Sequence, residues 1–300
     1  MKILNFGSLN VDHVYQVDHF VAAGETEHAL RYDLHMGGKG MNQSVALARA
    51  GAETYHAGCI GADGVFLADF LRECGVNTRH LRQIETPTGH AMIQVDKTGQ
   101  NCILLFGGAN QCISDAQIDE TIAQFDRGDI LLLQNEINGL DRIMRCAAAR
   151  GMRIALNPSP ATDALMQLPL ELVEWLILNE VEGEQLSGET NPDRILAALR
   201  SRWPHCRVVL TLGKRGVRYA DDAVQCAHGI YPVQVVDTTG AGDTFTGYFL
   251  AAVAQGKPVP DALRTASRAS SIGITRPGAA QSIPTADEVE NAQLPDPTAG

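Results

Sequence analysis

Residues 236–245 read Val236-Asp237-Thr238-Thr239-Gly240-Ala241-Gly242-Asp243-Thr244-Phe245, and the apolar residues 246–254 follow without a break. The β-branched segment 231–236 predicts a strand, and the spacing after Asp243 predicts a helix, so the glycine-rich turn opens that helix. Gly240 and Gly242 have no Cβ to keep a ligand away from the backbone. Because the first N–H groups of a helix have no partner within it, this turn predicts an anion site suited to phosphate.

Asp243 stands beside this predicted anion site, where a carboxylate repels the anion that the backbone attracts. One interpretation is a base that accepts a hydroxyl proton next to a bound phosphate, as phosphoryl transfer to an alcohol requires. The other is an Asp that caps the helix, an arrangement worth about 1 kcal/mol. The stretch alone leaves both interpretations open.

The composition is that of a globular chain without the charge pattern of a nucleic-acid-binding protein. Its 300 residues are 45% hydrophobic, enough for one large α/β domain or two ordinary ones, and the net charge is −11. There is no run of Lys or Arg, so we expect no nucleic-acid partner. The seven cysteines are scattered and form no C-x-x-C pair, which predicts free thiols in a reducing cytosol.

The N-terminal residues read as a strand, without a basic segment before an apolar core. No apolar run approaches the roughly 20 residues that a membrane-spanning helix needs. We therefore expect a soluble, cytoplasmic protein without a membrane partner.

Strands and helices alternate through the second half of the chain. The predicted strands are 129–134, 152–157, 175–179 and 207–212, and the predicted helices are 139–150, 180–186 and 193–202. Several of these strands are continuously apolar, as in a parallel sheet that is covered on both faces. The pattern predicts an α/β fold with a doubly wound, mostly parallel sheet and helices on both faces.

Polar residues recur where the predicted strands end. They are Asn10 and Asp12 after a first strand at 2–9, followed by Glu136, Asn157, Asn179, Thr211 and Asp237. In open α/β sheets, ligands bind at the carboxyl ends of the strands. Asn10 and Asp12 alone fit an Asx turn as well as hydroxyl recognition, but the recurrence predicts a site for a polar small molecule.

Two segments do not alternate with helices. Residues 22–35 are extended and partly polar, and residues 88–106 have the pattern of a hairpin around Lys97-Thr98-Gly99-Gln100. We expect a small β-sheet, built from about 13–36 and 88–108, that projects from a single domain of residues 1–300 and covers a site as a lid.

A second glycine-rich stretch, Met36-Gly37-Gly38-Lys39-Gly40-Met41-Asn42-Gln43, leads into a predicted helix at 44–51. Its glycines allow close approach to the backbone, and Lys39 and Asn42 supply hydrogen-bonding groups. It is not a Walker A loop, because G-x-x-x-x-G-K-[ST] is absent. The stretch alone fits a binding site or a plain connection with a solvated Lys39.

The two glycine-rich stretches resemble the two signatures of the ribokinase-like (PfkB) carbohydrate kinases. Residues 37–42 match the first signature and residues 237–245 the second, in the family's order and separation. The resemblance covers residues 2–284. Further similar segments are 7–12, 24–26, 107–110, 157–160, 179–182 and 275–279.

The resemblance implies a role for each matching residue in the transfer of a phosphoryl group from ATP to a sugar. Asp243 would be the base for the sugar's terminal hydroxyl, and the N–H groups of Gly240, Ala241 and Gly242 would form an anion hole. The residues matching those that hold the sugar are Asn10, Asp12, Gly38, Lys39, Asn42, Glu136 and Asp243.

The resemblance also implies a nucleotide site and two metal sites. The residues matching nucleotide-binding positions are Asn179, Thr211, Gly213, Lys214, Gly216, Gly242 and Ser267, the last where many relatives carry Asn or His near the adenine. Glu182 lies in the motif that organises Mg²⁺ in the family. The residues matching a K⁺ site beside the anion hole are Asp237, Thr239, Gly273, Arg276, Gly278 and Ser282.

The implied function is that of an ATP-dependent kinase acting on the terminal hydroxyl of a small sugar, with D-ribose as the leading acceptor. Another sugar or a nucleoside, such as fructose, a 2-keto sugar or adenosine, fits the same frame. The alternative from another class is a sugar-binding sensor without catalysis, and the intact Asp243 argues against it. The resemblance also implies a homodimer that forms through the lid sheets.

Overall fold

Two β-sheets organise the chain. In the computed structural model, which describes residues 1–298, the strands are β1 (Ile3–Phe6), β2 (Asn10–Gln16), β3 (Arg31–Gly37), β4 (Thr54–Ile60), β5 (Asn77–Gln83), β6 (Gly89–Val95), β7 (Asn101–Phe106), β8 (Ile130–Gln134), β9 (Arg153–Asn157), β10 (Val173–Asn179), β11 (Arg207–Thr211), β12 (Val217–Ala220) and β13 (Gln225–His228). Within these residues, nine strands form the main sheet in the order β13-β12-β11-β10-β9-β8-β1-β4-β5. Its strands are parallel from β11 to β5, and β12 and β13 add an antiparallel edge.

Helices cover both faces of the main sheet. They are α1 (Lys39–Arg49), α2 (Val65–Glu73), α3 (Asp115–Ile122), α4 (Leu140–Arg150), α5 (Glu180–Ser187), α6 (Pro192–Arg202), α7 (Ala241–Ala254), α8 (Val259–Gly273) and α9 (Ala286–Asn291). On β8, Ile130 and Leu132 belong to the core that contains α1, α7 and α8, and Leu131 and Leu133 belong to the core that contains α3 to α6. This burial on both faces confirms the predicted doubly wound α/β fold.

The second sheet has four strands in the order β3-β2-β6-β7 within the described residues. It contains the predicted hairpin, because β6 and β7 pair antiparallel around residues 96–100. Its strands extend slightly beyond the predicted limits, because β2 begins at Asn10 and β3 ends at Gly37. Its action as a lid stays a prediction.

Two strand predictions are wrong. The first strand ends at Phe6, and Asn10 and Asp12 belong to β2 of the small sheet, because α1 docks so closely that a Cβ on Gly40 would lie 2.3 Å from the Ser8 nitrogen. Residues 231–236 are not a strand. Pro232 has no N–H for a sheet ladder, and the Val236 N–H instead donates to the Ile274 carbonyl at 2.8 Å.

Close packing of α1 against α7 brings the two glycine-rich stretches together. A Cβ on Gly247 of α7 would lie 2.4 Å from Ala46 Cβ of α1, so only glycine allows this crossing. Helix α1 begins at Lys39 rather than at the predicted residue 44, with Gly38 as its N-cap at φ 92°. Lys39, Asn42 and Gln43 therefore lie in the first turns of α1 and face the start of α7.

All seven cysteines are free thiols, as the sequence predicts. Among the helices of residues 1–298, none combines the length and the apolar character that crossing a membrane requires. The cytoplasmic location stays a prediction.

Candidate active site

A cavity of about 260 Å³ opens at the carboxyl ends of β9, β10 and β11, against the first turn of α7. This is the edge of the sheet where the sequence predicts a polar small-molecule site. The predicted site residues that line it are Lys39, Asn179, Glu182, Thr211, Gly240, Ala241, Gly242 and Asp243.

A larger cavity, of about 400 Å³, lies at the amino ends of β10 and β11, on the opposite edge of the sheet. Four of its charged side chains form ion pairs: Glu174 lies 3.2 Å from Arg207, and Arg200 pairs with Asp222. It contains none of the residues that the sequence predicts for a site. We assign the functional site to the smaller cavity, because it lies at the carboxyl ends of the strands.

Asp243 lies in the first turn of α7 and is only 6% exposed. Its Oδ2 accepts a hydrogen bond from Asn42 Nδ2 at 2.9 Å, and its Oδ1 accepts one from Gln43 Nε2 at 2.8 Å. Gly240 is the N-cap, in the left-handed region at φ 73°, and within residues 1–298 no side chain caps this helix. The carboxylate therefore faces α1 and is not a helix cap.

The backbone at the start of α7 forms part of the cavity wall. Gly240, Ala241 and Gly242 place their peptide groups at the positive end of the α7 dipole. The Ala241 N–H donates to the Thr238 carbonyl at 3.2 Å, so this predicted anion-hole donor already has a partner. The use of this turn as an anion site stays a prediction.

Lys39 lies among three carboxylates. The Asp243 carboxylate raises the pKa of the Lys39 ammonium most, and Glu136 and Glu182 add to the effect against the opposing effect of burial. Glu136 Oε2 accepts hydrogen bonds from the Lys39 N–H at 3.0 Å and from the Ser8 hydroxyl. Burial raises the pKa of the Glu136 carboxyl. These contacts connect the β1–β2 turn, the start of α1 and the end of β8.

Asn10 and Asp12, on β2, lie near Lys39 and Glu136. Asn10 Oδ1 accepts a hydrogen bond from Asn110 Nδ2 at 2.8 Å. Gly38 packs against the start of β2, since a Cβ built on it would lie 3.0 Å from the Asn10 nitrogen. Burial, together with the nearby charge of Glu136, raises the pKa of the Asp12 carboxyl to about 7. Asp12 and Glu136 are thus a pair of neighbouring carboxyl groups.

We expect the raised pKa of Asp12 to make the ligand-free protein less stable as the pH rises from about 4 to about 7. In this range the folded chain holds a proton on Asp12 that the unfolded chain has released, so the free energy of unfolding falls. Thermal unfolding of the wild type and of Asp12→Asn at a series of pH values checks this. The Tm of the variant should fall less across the range, and parallel profiles would contradict the prediction.

Asn179 and Glu182 form a reciprocal cap at the start of α5. The Glu182 N–H donates to Asn179 Oδ1 at 3.0 Å, and the Asn179 N–H donates to Glu182 Oε2 at 3.0 Å. Glu182 is buried and lines the cavity. The pair thus holds a buried carboxylate at the cavity wall, next to Thr211 at the end of β11.

Four of the predicted nucleotide-binding residues lie outside the cavity wall. Gly213, Lys214 and Gly216 form a turn after β11, in which Gly216 has φ 85° and a Cβ on it would lie 2.1 Å from the His228 carbonyl oxygen. Lys214 is exposed, and Ser267 is buried within α8.

Asp237 joins the loop before α7 to the loop after α8. Its Oδ1 accepts a hydrogen bond from the Thr239 N–H at 2.9 Å, and its Oδ2 accepts one from the Gly278 N–H at 3.0 Å. Burial raises the pKa of Asp237, but the hydrogen bonds from Thr239 and Gly278 outweigh it, so the pKa is lowered. Asp237, Thr239 and Gly278, which are predicted for K⁺, thus lie in these loops and not in the cavity wall.

The other residues predicted for K⁺ differ in the atoms that they could offer to a cation. The Ser282 carbonyl oxygen lies 3.8 Å from the position of a Cβ on Gly273, so these two segments adjoin. The Ser282 hydroxyl donates to the Ala279 carbonyl at 2.8 Å. The Arg276 side chain pairs with Glu288 at 2.6 Å. Because a guanidinium has no acceptor atom, Arg276 has only its backbone carbonyl to offer a cation.

A profile of the pfkB family of carbohydrate kinases matches residues 1–286. The chain belongs to this family. The resemblance predicted from its two glycine-rich stretches is therefore confirmed. Ribokinase from Haemophilus influenzae is 36% identical over 291 residues, which is 94% of this chain and 95% of that protein.

Solved structures of ribokinases share the fold of this pfkB-family kinase. Ribokinase from Cryptococcus neoformans var. grubii, in complex with ADP, aligns with a TM-score of 0.85 at 32% identity, covering 96% of this chain and 98% of that chain. Ribokinase from Arabidopsis thaliana, complexed with ribose and ATP, aligns with a TM-score of 0.85 at 30% identity, covering 96% of this chain and 97% of that chain.

Sequence reasoning missed part of this kinase's site. Gln43 had an available signal, because it follows Asn42 in the first signature and lies in the same turn of α1. Ser8 had none, since its contact with Glu136 depends on the turn between β1 and β2. The cavity wall also contains Asn157, Ser159, Ile177, Leu178, Thr238 and Thr246.

Proposed function

We propose that this pfkB-family kinase transfers the γ-phosphoryl group of ATP to the terminal hydroxyl of D-ribose and produces D-ribose 5-phosphate. The observation that carries the proposal is the buried Asp243 carboxylate, held by two amide donors beside the glycine-rich start of α7. A base beside an anion site is the arrangement that phosphoryl transfer to an alcohol needs. The ribokinase relatives support ribose as the acceptor.

In this mechanism Asp243 accepts the proton of the terminal hydroxyl while the hydroxyl oxygen attacks the γ-phosphorus in line. A bond forms between that oxygen and phosphorus, the bond from phosphorus to the bridging oxygen breaks, and ADP leaves with the electron pair. The N–H groups of Gly240 and Gly242 stabilise the charge on the transferred group, and the Ala241 N–H joins them if its turn hydrogen bond opens.

The residues proposed to hold the sugar are Asn10, Asp12, Gly38, Lys39, Asn42 and Glu136. Asp12 and Glu136 are hydrogen-bond acceptors, and the Lys39 ammonium is a donor. Asn42 Oδ1 is buried and has no hydrogen-bond partner within the described residues. A sugar hydroxyl would satisfy it, and an unsatisfied buried polar atom costs about 1–3 kcal/mol.

We propose that the nucleotide lies along Asn179, Thr211, Gly213, Lys214, Gly216, Gly242 and Ser267. The buried Glu182 carboxylate suits Mg²⁺, whose preferred ligands are oxygens and which usually keeps several waters. Bound Mg²⁺ would neutralise charge on the phosphates. The role of Glu182 itself is to present its carboxylate at the wall where those phosphates lie, fixed by its hydrogen bond with the Asn179 N–H.

A K⁺ ion fits the loops around Asp237, together with Thr239, Gly273, Arg276, Gly278 and Ser282. Carboxylate, hydroxyl and carbonyl oxygens are the ligands that a hard cation takes. Bound K⁺ would add positive charge next to the anion site. Asp237 itself fixes the relative position of the two loops through its hydrogen bonds with Thr239 and Gly278.

The test is an ADP-release assay with ATP and Mg²⁺ against ribose, deoxyribose, fructose, a 2-keto sugar and adenosine, with K⁺ or Na⁺. We expect kcat/KM for ribose to exceed the others by about tenfold or more, since unpaired site groups penalise the wrong acceptor, and the rate to be higher in K⁺. Preference for another acceptor would leave the assignment as a kinase unchanged and overturn ribose as its acceptor. Ribose binding in calorimetry without any turnover would support the sensor instead.

The small sheet exposes an apolar face that we propose as a homodimer interface. His13, Leu34, Met92 and Leu104 lie opposite one another across β2, β3, β6 and β7, so their side chains share a face. Leu104 is 71% exposed. An exposed apolar patch on an edge strand favours association.

We expect Leu104→Glu to convert the dimer into a monomer, because a carboxylate in the centre of an apolar interface loses its hydration. Sedimentation velocity of both proteins measures the change. Val224→Glu, at an exposed valine in the turn between β12 and β13, is the matched control and should leave the mass unchanged. A monomeric wild type would contradict the proposed interface.

A further inference from the structure

A chain of buried amide side chains leads from Asp243 into the interior, and its first member, Gln43, has no part in the proposed reaction. Gln43 Nε2 donates to Asp243 Oδ1 at 2.8 Å and to Asn157 Oδ1 at 3.0 Å. Gln43 Oε1 accepts a hydrogen bond from Gln134 Nε2 at 2.7 Å. Both glutamines are 0% exposed. Water therefore cannot replace a lost partner, and each of these hydrogen bonds matters.

The Gly40 carbonyl fixes the orientation of the Gln43 amide through the row of hydrogen-bonded side chains that connects them. Asn5 Nδ2 donates to the Gly40 carbonyl at 2.7 Å, and a carbonyl can only accept. Asn5 Oδ1 must then accept from Gln134 Nε2, at 2.9 Å, and the same nitrogen donates to Gln43 Oε1. Gln43 is thereby required to turn its NH₂ group toward Asp243.

A second carbonyl gives the same direction independently. Asn157 Nδ2 donates to the Ile177 carbonyl at 2.8 Å, which leaves Asn157 Oδ1 to accept from Gln43 Nε2. The two hydrogens of the Gln43 amide are thus assigned, one to Asn157 and one to Asp243. Asp243 Oδ1 faces a donor in a position that the surrounding structure imposes.

Gln117, a buried glutamine with a structural role, differs from Gln43 in the groups to which it donates hydrogen bonds. It is equally buried, and its Nε2 donates to the backbone carbonyls of Gly58 at 2.8 Å and His80 at 3.3 Å. Gln43 instead donates to side chains, one of them ionisable. A hydrogen bond from an amide to a carboxylate favours the ionised form over the protonated form.

We propose that Gln43 is a positioning residue that orients the Asp243 carboxylate, with Gln134 and Asn5 holding Gln43 in turn. The carboxylate is thereby held in place before the sugar binds. The other donor to the carboxylate is Asn42, and the charged groups near it are Lys39, Glu136 and Glu182. The kinetic part of this inference rests on the proposed function.

The test compares Gln43→Met, which keeps the length and volume and removes the donor, with Gln117→Met as the matched control. We expect kcat of Gln43→Met to fall by about tenfold to a hundredfold, the range for losing a hydrogen bond to a charged group. The acid limb of its kcat profile should move upward by about one pH unit, which is the same order of free energy. KM for ribose should change little, and Gln117→Met should lose stability but keep kcat and the acid limb.

A second readout does not require turnover. The carboxyl titration of Asp243, followed by carbon-13 NMR and assigned by its loss in Asp243→Asn, should have a higher midpoint in Gln43→Met than in the wild type. If Gln43→Met does not fold, Gln43→Leu carries the same test, since it also removes the donor to Asp243 and adds no charge. Its titration should also show a raised midpoint.

The outcomes separate this inference from the proposed function. A wild type that phosphorylates no acceptor, combined with a raised Asp243 midpoint in the Gln43 variant, overturns the reaction and keeps the positioning role. A wild type that phosphorylates ribose, combined with unchanged kcat, acid limb and midpoint in the folded variant, overturns the positioning role alone.

Discussion

Asp243→Asn is expected to lower kcat by about 10²–10⁴-fold, the range for losing a general base. An amide cannot accept the hydroxyl proton, while its size matches that of the carboxylate. It also turns an NH₂ group toward one of the donors, Asn42 or Gln43, that now hold the two carboxylate oxygens. The measurement is the ADP-release assay, together with ribose binding by calorimetry, which should persist.

Asp129→Asn is the matched control for this change. Asp129 is 8% exposed and accepts hydrogen bonds from the N–H groups of Lys2 at 2.8 Å and Asp126 at 3.0 Å, at the amino end of β8. Asp129→Asn should lose about as much stability as Asp243→Asn and should keep the wild-type kcat. Equal activity of wild type and Asp243→Asn would show that Asp243 is not the base.

The sequence predicts the fold because local pattern and burial agree along most of the chain. Apolar runs such as 130–133 form strands that are buried on both faces, and the helices between them return the chain to the same edge. Polar residues after β9, β10 and β11 therefore meet at one cavity, which the spacing alone indicates. Asn157, Asn179 and Thr211 are predictable for this reason.

Other parts of the site depend on contacts between distant segments. Asn10 and Asp12 read as the end of the first strand, and they lie on a different sheet because Gly40 docks against Ser8. Pro232 prevents a ladder in a segment whose β-branched residues predict a strand. Arg276 is turned away by Glu288, twelve residues later. No local pattern contains these contacts.

Gly242→Val is expected to abolish most of the activity and leave the fold intact. Gly242 lines the cavity, and apart from its own stretch of α7 no atom of the described residues lies within 4 Å of a Cβ built on it, so the side chain would extend into open space at the predicted anion site. Its helical backbone accepts valine, which forms helices slightly better than glycine. The side chain would block the approach of phosphate to the N–H groups, and losing such a donor lowers kcat by about 10²–10³-fold.

Gly247→Ala, in the same helix, should destabilise the fold, which Gly242→Val should not do. Its Cβ would lie 2.4 Å from Ala46 Cβ, and overpacking of this kind costs about 1–3 kcal/mol. Thermal unfolding should therefore show a lower Tm for Gly247→Ala and an unchanged Tm for Gly242→Val. The KM for ATP should rise in Gly242→Val, because the valine occupies space that the phosphates need. If Gly242→Val keeps the wild-type kcat and KM, the transferred phosphoryl group does not bind at the start of α7.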